Sequence, residues 1–172
     1  MAIVQVPPVQ TGGMTLLSTT TFNGTPTTVL SSIPQTYNNL RVVIRQALPA
    51  SDGAELSIRF NNDSTGNRHE HLESWNSSVN VSFGRDRATL NISADNTVTQ
   101  SLTIIDIPDY TNTTTWKMGF SMSMNNNSTT TTNVQWRRMI AMYNQTSAIS
   151  SLGFLFSTGN ATSGSILLYG VK

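Results

Sequence analysis

The chain has 172 residues, of which 37% are hydrophobic and 11% are charged, and its formal net charge is +1. One domain is the usual organisation at this length. The near-zero charge excludes nucleic acid as the main partner, because binding phosphates needs clustered Lys and Arg. No apolar run approaches the ~18 residues of a membrane span, so we expect no membrane partner.

Uncharged polar residues dominate the composition: Thr, Ser and Asn together supply 63 of the 172 positions. Thr fits the pleated surface of a strand and disfavours helix, whereas Asn and Ser favour turns. The chain has no Cys, so it has neither a disulfide framework nor a thiolate metal site. This composition predicts an all-β protein with polar outer faces.

The first 13 residues differ from the rest of the chain. They contain Pro7-Pro8 and Gly12-Gly13, which predict an extended arm over residues 1–13 and not a strand of a central sheet. The arm carries apolar side chains that lie outside the strand pattern, and we expect them to contact a neighbouring subunit or another partner. These candidate contact residues are Ile3, Val4, Val6, Pro7, Pro8 and Val9.

Beyond the arm, apolar and polar residues alternate with a period of two in almost every segment. Clear runs cover residues 40–45, 55–60, 79–92 and 116–124, and this period is typical of strands that bury one face. About ten short strands at this spacing predict a β-sandwich or jelly roll, with a single domain over residues 14–172.

Turn signals and the alternation give the prediction its detail. Asn23-Gly24 predicts a hairpin turn, and Gly84-Arg85-Asp86 predicts a second hairpin. Within each strand we assign the apolar side chains to the core. The side chains predicted to be buried are those of Leu56, Ile58, Phe60, Val81, Leu90, Ile92, Leu102, Ile104, Trp116, Met118, Phe120, Ile140 and Leu168.

One short segment has the residue types of a metal site. His69, His71 and Glu73 point to the same side of a strand, and two His with a carboxylate are suitable ligands for zinc. No fourth ligand can be identified, although His from three copies could meet at a threefold axis. We favour the alternative, a polar outer strand face, and expect no bound metal.

Catalytic patterns are weak. The sequence has no Gly-x-Ser-x-Gly nucleophile motif. Asp106 and Asp109 are the nearest approach to a carboxylate pair, and their place before a Thr-rich turn favours a capping role. We therefore expect no enzymatic activity and no cofactor.

The three Trp residues are candidates for stacking on sugars. Trp116 and Trp136 are in phase with apolar neighbours, which favours burial in the core. Trp75 follows a polar run and precedes Asn76-Ser77-Ser78, so it is the best candidate for an exposed aromatic that contacts a glycan.

Four segments together resemble a known family. They are Ile-Pro-x-x-Tyr-x-x-Leu at residues 33–40, Arg-Phe-Asn-x-Asp at 59–63, Ile-Asp-Ile-Pro-Asp-Tyr at 105–110 and the ending Leu-Leu-Tyr-Gly-Val-Lys at 167–172. In this order they are similar to small jelly-roll virion proteins of tailed bacteriophages. The resemblance spans about residues 14–172.

The resemblance implies a virion component with a jelly-roll sandwich that forms a homotrimer. Only a short arm precedes the module, which favours a cement or decoration protein on the capsid exterior, bound to the major capsid protein. We then expect the arm to contact a neighbouring subunit or the capsid. The alternative is a tail-fibre or receptor-binding module that binds a host surface glycan. The family supplies no catalytic motif.

Overall fold

The computed structural model describes residues 13–75, 78–91, 93–127 and 134–172. Over these ranges the chain is all-β and has no helix, which confirms the predicted fold class, and it has twelve strands where about ten were expected. The strands are β1 (Met14–Thr21), β2 (Thr28–Leu30), β3 (Asn39–Pro49), β4 (Leu56–Phe60), β5 (His69–Trp75), β6 (Ser78–Arg85), β7 (Ala88–Thr89), β8 (Ser101–Pro108), β9 (Lys117–Asn126), β10 (Val134–Tyr143), β11 (Leu152–Phe156) and β12 (Ala161–Val171).

The strands form two antiparallel sheets. The large sheet has eight strands in the order β1-β12-β3-β8-β9-β10-β5-β6, and the small sheet has four in the order β2-β11-β4-β7. The two sheets form a β-sandwich with one hydrophobic core. Jelly-roll connectivity stays a prediction.

Both predicted hairpins are wrong in the same way. Gly24 does form a turn, with φ 82° and its N–H donating to the carbonyl of Ala161 at 2.9 Å. However, β1 belongs to the large sheet and β2 to the small sheet. The same holds for β6 and β7, which flank Asp86 and Arg87, whereas Gly84 lies within β6. Each turn therefore carries the chain from one sheet to the other. The prediction failed because a turn signal in the sequence does not specify that the strands on either side of it pair.

Bulky aliphatic and aromatic side chains from both sheets fill the core. In the small sheet, most of the large apolar side chains come from β4 and β11, the two inner strands. The large sheet contributes β3, β8 and β12. The buried residues on these strands include Leu40, Val42, Ile44, Leu56, Ile58, Phe60, Ile105, Ile107, Phe154, Ile166 and Leu168.

Three of the four family-like segments meet at one end of the sandwich. The hydroxyl of Tyr110 donates to the carbonyl of Pro34, which joins the middle segment to the first. The N–H of Asn38 donates to the carbonyl of Val171 at 3.0 Å, which joins the first segment to the C-terminal one. Gly170 is required there, because a Cβ would collide with the ring of Tyr37. These motifs close the end of the fold.

The fourth segment forms a turn that holds two loops together. Asn61 and Asn62 adopt left-handed conformations with φ of 53° and 49°, which Asn tolerates better than most residues. The Asn61 side-chain oxygen accepts a hydrogen bond from the N–H of Ser150 at 2.8 Å. This segment also has a structural role.

Candidate functional site: the outer face of the large sheet

Strand β9 has its apolar side chains on the solvent side. Met118, Phe120, Met122 and Met124 are between 45% and 48% exposed. The residues between them face the small sheet, and Ser121 and Ser123 are buried there. The sequence-based assignment of Met118 and Phe120 to the core is therefore wrong by one residue in register, which reverses the two faces of a strand.

The small sheet explains why β9 is oriented this way. A Cβ added to Gly119 would lie 3.2 Å from the ring of Phe60, so the core side of β9 is tightly packed at this position. Ser123 donates a hydrogen bond to the carbonyl of Leu90 at 2.6 Å and accepts one from Thr103 at 3.0 Å. Because the opposing sheet already supplies bulky groups, the inward positions of β9 are small or polar.

Neighbouring strands continue the exposed apolar surface. Cross-strand pairing places Leu102 and Trp136 on either side of Met124, and it places Leu72 of β5 opposite Val81 of β6. We call this surface the outer apolar face. Its members, between 38% and 69% exposed, are Leu72, Val79, Val81, Phe83, Leu102, Met118, Phe120, Met122, Met124, Val134 and Trp136.

The outer apolar face is large for a monomer. Aromatic side chains offer about 150–250 Å² when fully accessible, so the exposed fractions of these eleven residues correspond to an area on the order of 1,000 Å². The largest apolar patch of a typical monomer covers about 300–600 Å². An exposed apolar area above this range is typical of surfaces that contact another molecule.

The predicted core divides accordingly. Five residues are buried as expected, and five are exposed against expectation. The first group is Leu56, Ile58, Phe60, Leu90 and Leu168, and the second is Val81, Leu102, Trp116, Met118 and Phe120. Ile104 and Ile140 are half-buried, and Ile92 lies outside the described residues.

A few charged side chains lie among the members of the outer apolar face, since Asp106 is opposite Phe120 and Arg138 is opposite Met122. The Arg41 guanidinium and the Asp106 carboxylate form an ion pair at 2.6 Å, and the hydrogen bond from Arg41 to Asp106 raises the pKa of Arg41. The guanidinium of Arg138 lies 5.8 Å from the ring of Trp136, in a cation–π geometry. Asp106 is thus held by Arg41, whereas Asp109 accepts a hydrogen bond from the side chain of Asn112 at 2.8 Å.

His69, His71 and Glu73 lie on one side of β5, as expected, but that side faces the core. They are 0%, 5% and 7% exposed, so their assignment to an outer polar face is wrong. The Nε2 atom of His69 accepts a hydrogen bond from the N–H of Phe60 at 3.1 Å, and its ring stacks on those of Phe60 and Tyr143. Burial lowers the pKa of His69 to about 4, so this imidazole is neutral and structural.

A buried ion pair lies beside these histidines. Arg137, 5% exposed, forms an ion pair with Glu73 and donates to the carbonyl of Asn91. His71 Nε2 is 3.6 Å from the Glu73 carboxylate, and burial, together with the positive charge of Arg137, lowers the pKa of His71 to about 4. These groups line a polar cleft of about 330 Å³.

No group of three His, Asp or Glu side chains that could hold a metal ion occurs among the residues with described coordinates. The Nε2 atom of His69 is engaged by the N–H of Phe60. The absence of metal from the protein stays a prediction for elemental analysis.

Two sets of sequence-predicted contact residues are not placed by the structure. The arm residues Ile3, Val4, Val6, Pro7, Pro8 and Val9 lie outside the described residues, as does the side chain of Trp75. Trp116 and Trp136, which the alternation assigned to the core, are 53% and 38% exposed.

Comparisons with known proteins give no further guide to identity. No family model matches the chain, and no curated protein is significantly similar to it. Within the described ranges, none of the chain forms a helix long and apolar enough to cross a membrane.

Proposed function

We propose that this chain is a structural protein of a bacteriophage virion, a decoration protein that binds the outside of the capsid as a homotrimer. The observation that supports the proposal most strongly is the outer apolar face. An exposed apolar surface of this size is typical of a protein that works in contact with other proteins. The resemblance of four sequence segments to virion proteins supplies the particular setting.

The start of the described chain supports a role for the arm. β1 begins at Met14 on the edge of the large sheet. Met14 is 52% exposed and lines, with Pro108 and Phe120, a groove of about 390 Å³. Phe120 belongs to the outer apolar face, so the arm joins the fold beside that face. The connection of an apolar arm next to an apolar face supports the proposal that both take part in assembly.

The ionisable groups that the sequence offers for chemistry are engaged in structural contacts. Asp106 pairs with Arg41, Glu73 pairs with Arg137, and His69 accepts a backbone hydrogen bond. Each of these groups stabilises the sandwich, and this supports the proposal that the protein acts by binding and not by catalysis.

The alternative, a tail-fibre or receptor-binding module that contacts host glycan, is favoured by one observation. Trp116 and Trp136 are partly exposed, and exposed aromatic rings can stack on sugars. Trp136 belongs to the outer apolar face, so the same residue serves either reading, and the position of the protein on the particle distinguishes them.

Imaging of the virion by electron cryomicroscopy tests the proposal. Particles that carry the protein and particles from which its gene has been deleted are compared in a difference map. We expect threefold difference density on the outer surface of the capsid. Density confined to the tail would replace the decoration role with the receptor-binding alternative, and a protein absent from the particle would contradict both.

A further inference from the structure

We infer that the outer apolar face is where copies of this chain meet, so that its occupant is a second copy and not the capsid lattice. This inference rests on the proposed function as an assembly protein and names the partner of one surface. Four observations carry it: the alternation of β9, and the area, the charge and the composition of the face.

The alternation of β9 is a sequence feature that a free monomer does not need. The large side chains of Met118, Phe120 and Met122 point away from the core, and small or polar residues point into it. The close approach of Phe60 to Gly119 fixes this orientation. A strand with a filled inner side and an apolar outer side is typical of a sheet that is covered on both faces.

The area of the face matches that of a stable protein–protein contact. Standard interfaces bury about 800 Å² on each partner, and the outer apolar face offers on the order of 1,000 Å². Burying two such faces against each other would therefore give an interface of ordinary size. The mean separation of packed sheets, about 10 Å, allows the side chains of two such faces to interdigitate.

The charge of the face favours a second copy over a charged partner. None of the eleven members of the outer apolar face is ionisable. Arg138 lies opposite Met122 within the face and rests over Trp136, and Asp106, opposite Phe120, pairs with Arg41. Charge on the face is therefore sparse, and interfaces between identical subunits are more apolar than other protein interfaces.

The composition of the face also suits self-contact. Met118, Met122 and Met124 are unbranched and adaptable, and they can fill irregular gaps between two sheets. β6, at the edge of the large sheet, carries Val79, Val81 and Phe83, whose exposures of 52–69% extend the face to the last strand. The contact therefore covers the half of the sheet from β8 to β6.

A charge placed in the middle of the face tests the inference directly. Met122→Glu introduces a carboxylate at a 46% exposed position, and Val29→Glu does the same at a 40% exposed position on β2 of the small sheet. Both variants are compared with wild type by light scattering after size exclusion. We expect wild type and Val29→Glu to form an oligomer, and Met122→Glu to have the 18.7 kDa mass of one chain.

A spin-label measurement tests the same contact even if the Met122→Glu variant fails to fold. Because the chain has no Cys, Met122→Cys and Val29→Cys each provide a single attachment site. Labels at position 122 should give a short distance between copies, and labels at position 29 a longer one. Monomeric wild type, equal dissociation by both Glu variants, or the shorter distance at position 29 would each overturn the inference.

The outcome separates the inference from the proposed function. An oligomer that depends on Met122 in a protein absent from the particle would uphold the contact between copies and refute the virion role. A protein that decorates capsids as a monomer would uphold the virion role and refute the contact between copies. An oligomer of two chains held by this face would uphold the inference and refute the homotrimer.

Discussion

Two phenylalanines give the clearest test of which side of β9 faces the core. The alternation in the sequence assigns both to the core, and the test compares their truncation to Ala. Phe60 is fully buried, and its ring stacks on those of His69 and Tyr143. Phe120 is 47% exposed on the outer apolar face. Phe60→Ala should lower the free energy of unfolding by about 3–5 kcal/mol, because it removes buried apolar area and leaves a cavity.

Phe120→Ala should cost far less in the monomer. Removing the ring takes away on the order of 100 Å² of apolar surface, of which about half was accessible, so at ~25 cal/mol per Å² the loss is about 1 kcal/mol. No closed cavity forms, because the site is open to solvent. Urea unfolding of both variants at low protein concentration, where any oligomer has dissociated, gives the two values.

The contrast between the two variants decides the orientation. If Phe120→Ala cost as much as Phe60→Ala in the dissociated protein, β9 would point the other way, and the outer apolar face would not exist. The same unfolding measurement at high protein concentration gives a second test. Phe120→Ala should then lose additional stability relative to wild type, because only wild type gains from assembly through this face.

Further predictions concern the buried polar groups and the arm. His69 and His71 are neutral in the folded protein, with pKa values of about 4 against 6.5 when free. As pH falls from 6.5 to 4, the unfolded chain takes up protons that the folded chain does not. The free energy of unfolding should therefore fall by up to about 3 kcal/mol per His. Urea unfolding at a series of pH values measures this, and an equal pH dependence of the free energy of unfolding in His69→Gln and wild type would contradict it. Arg137→Ala leaves Glu73 buried without its partner and should cost about 3–5 kcal/mol, whereas replacing both by apolar residues should recover most of that loss. Chemical denaturation of the single and double variants measures the difference, and equal losses would argue against the buried pair. Deleting residues 2–13 should leave a folded sandwich by circular dichroism and weaken assembly or attachment to particles; full occupancy of the truncated protein would remove the arm from the mechanism. Elemental analysis after chelator-free purification should find no stoichiometric transition metal, and a bound one would refute the structural assignment of His69.

Local sequence patterns predicted the fold class well, because strands and turns depend mainly on residues that are close together in the sequence. The period-two runs gave the strands, and Asn-rich segments gave turns such as that of Asn61 and Asn62, whose left-handed backbone matches the preference of Asn. The strand list and the absence of helix over the described ranges follow from these local signals.

The candidate site could not be predicted in the same way, because alternation does not say which face of a strand is covered. In β9 the hydrophobic rule assigned Met118 and Phe120 to the core, but the small sheet with Phe60 covers the other side. In β5 the same rule assigned His69 to solvent, but the partners that keep it buried come from β4 and β10. Both errors have one cause, the long-range position of the second sheet. A local hint is the small size of Gly119, Ser121 and Ser123 on one side of β9, against the large apolar residues on the other side.

Oxidation of individual methionines by peroxide tests the central claim most directly. Met122 and Met124 are 46% and 48% exposed in one chain, whereas Met139 in the core is 3% exposed. Mass spectrometry gives the oxidation rate of each residue in concentrated and in diluted protein. If copies meet through the outer apolar face, Met122 and Met124 should be protected in concentrated protein and oxidise rapidly after dilution, with Met139 protected in both. Equally rapid oxidation of Met122 and Met124 at both concentrations would contradict the account.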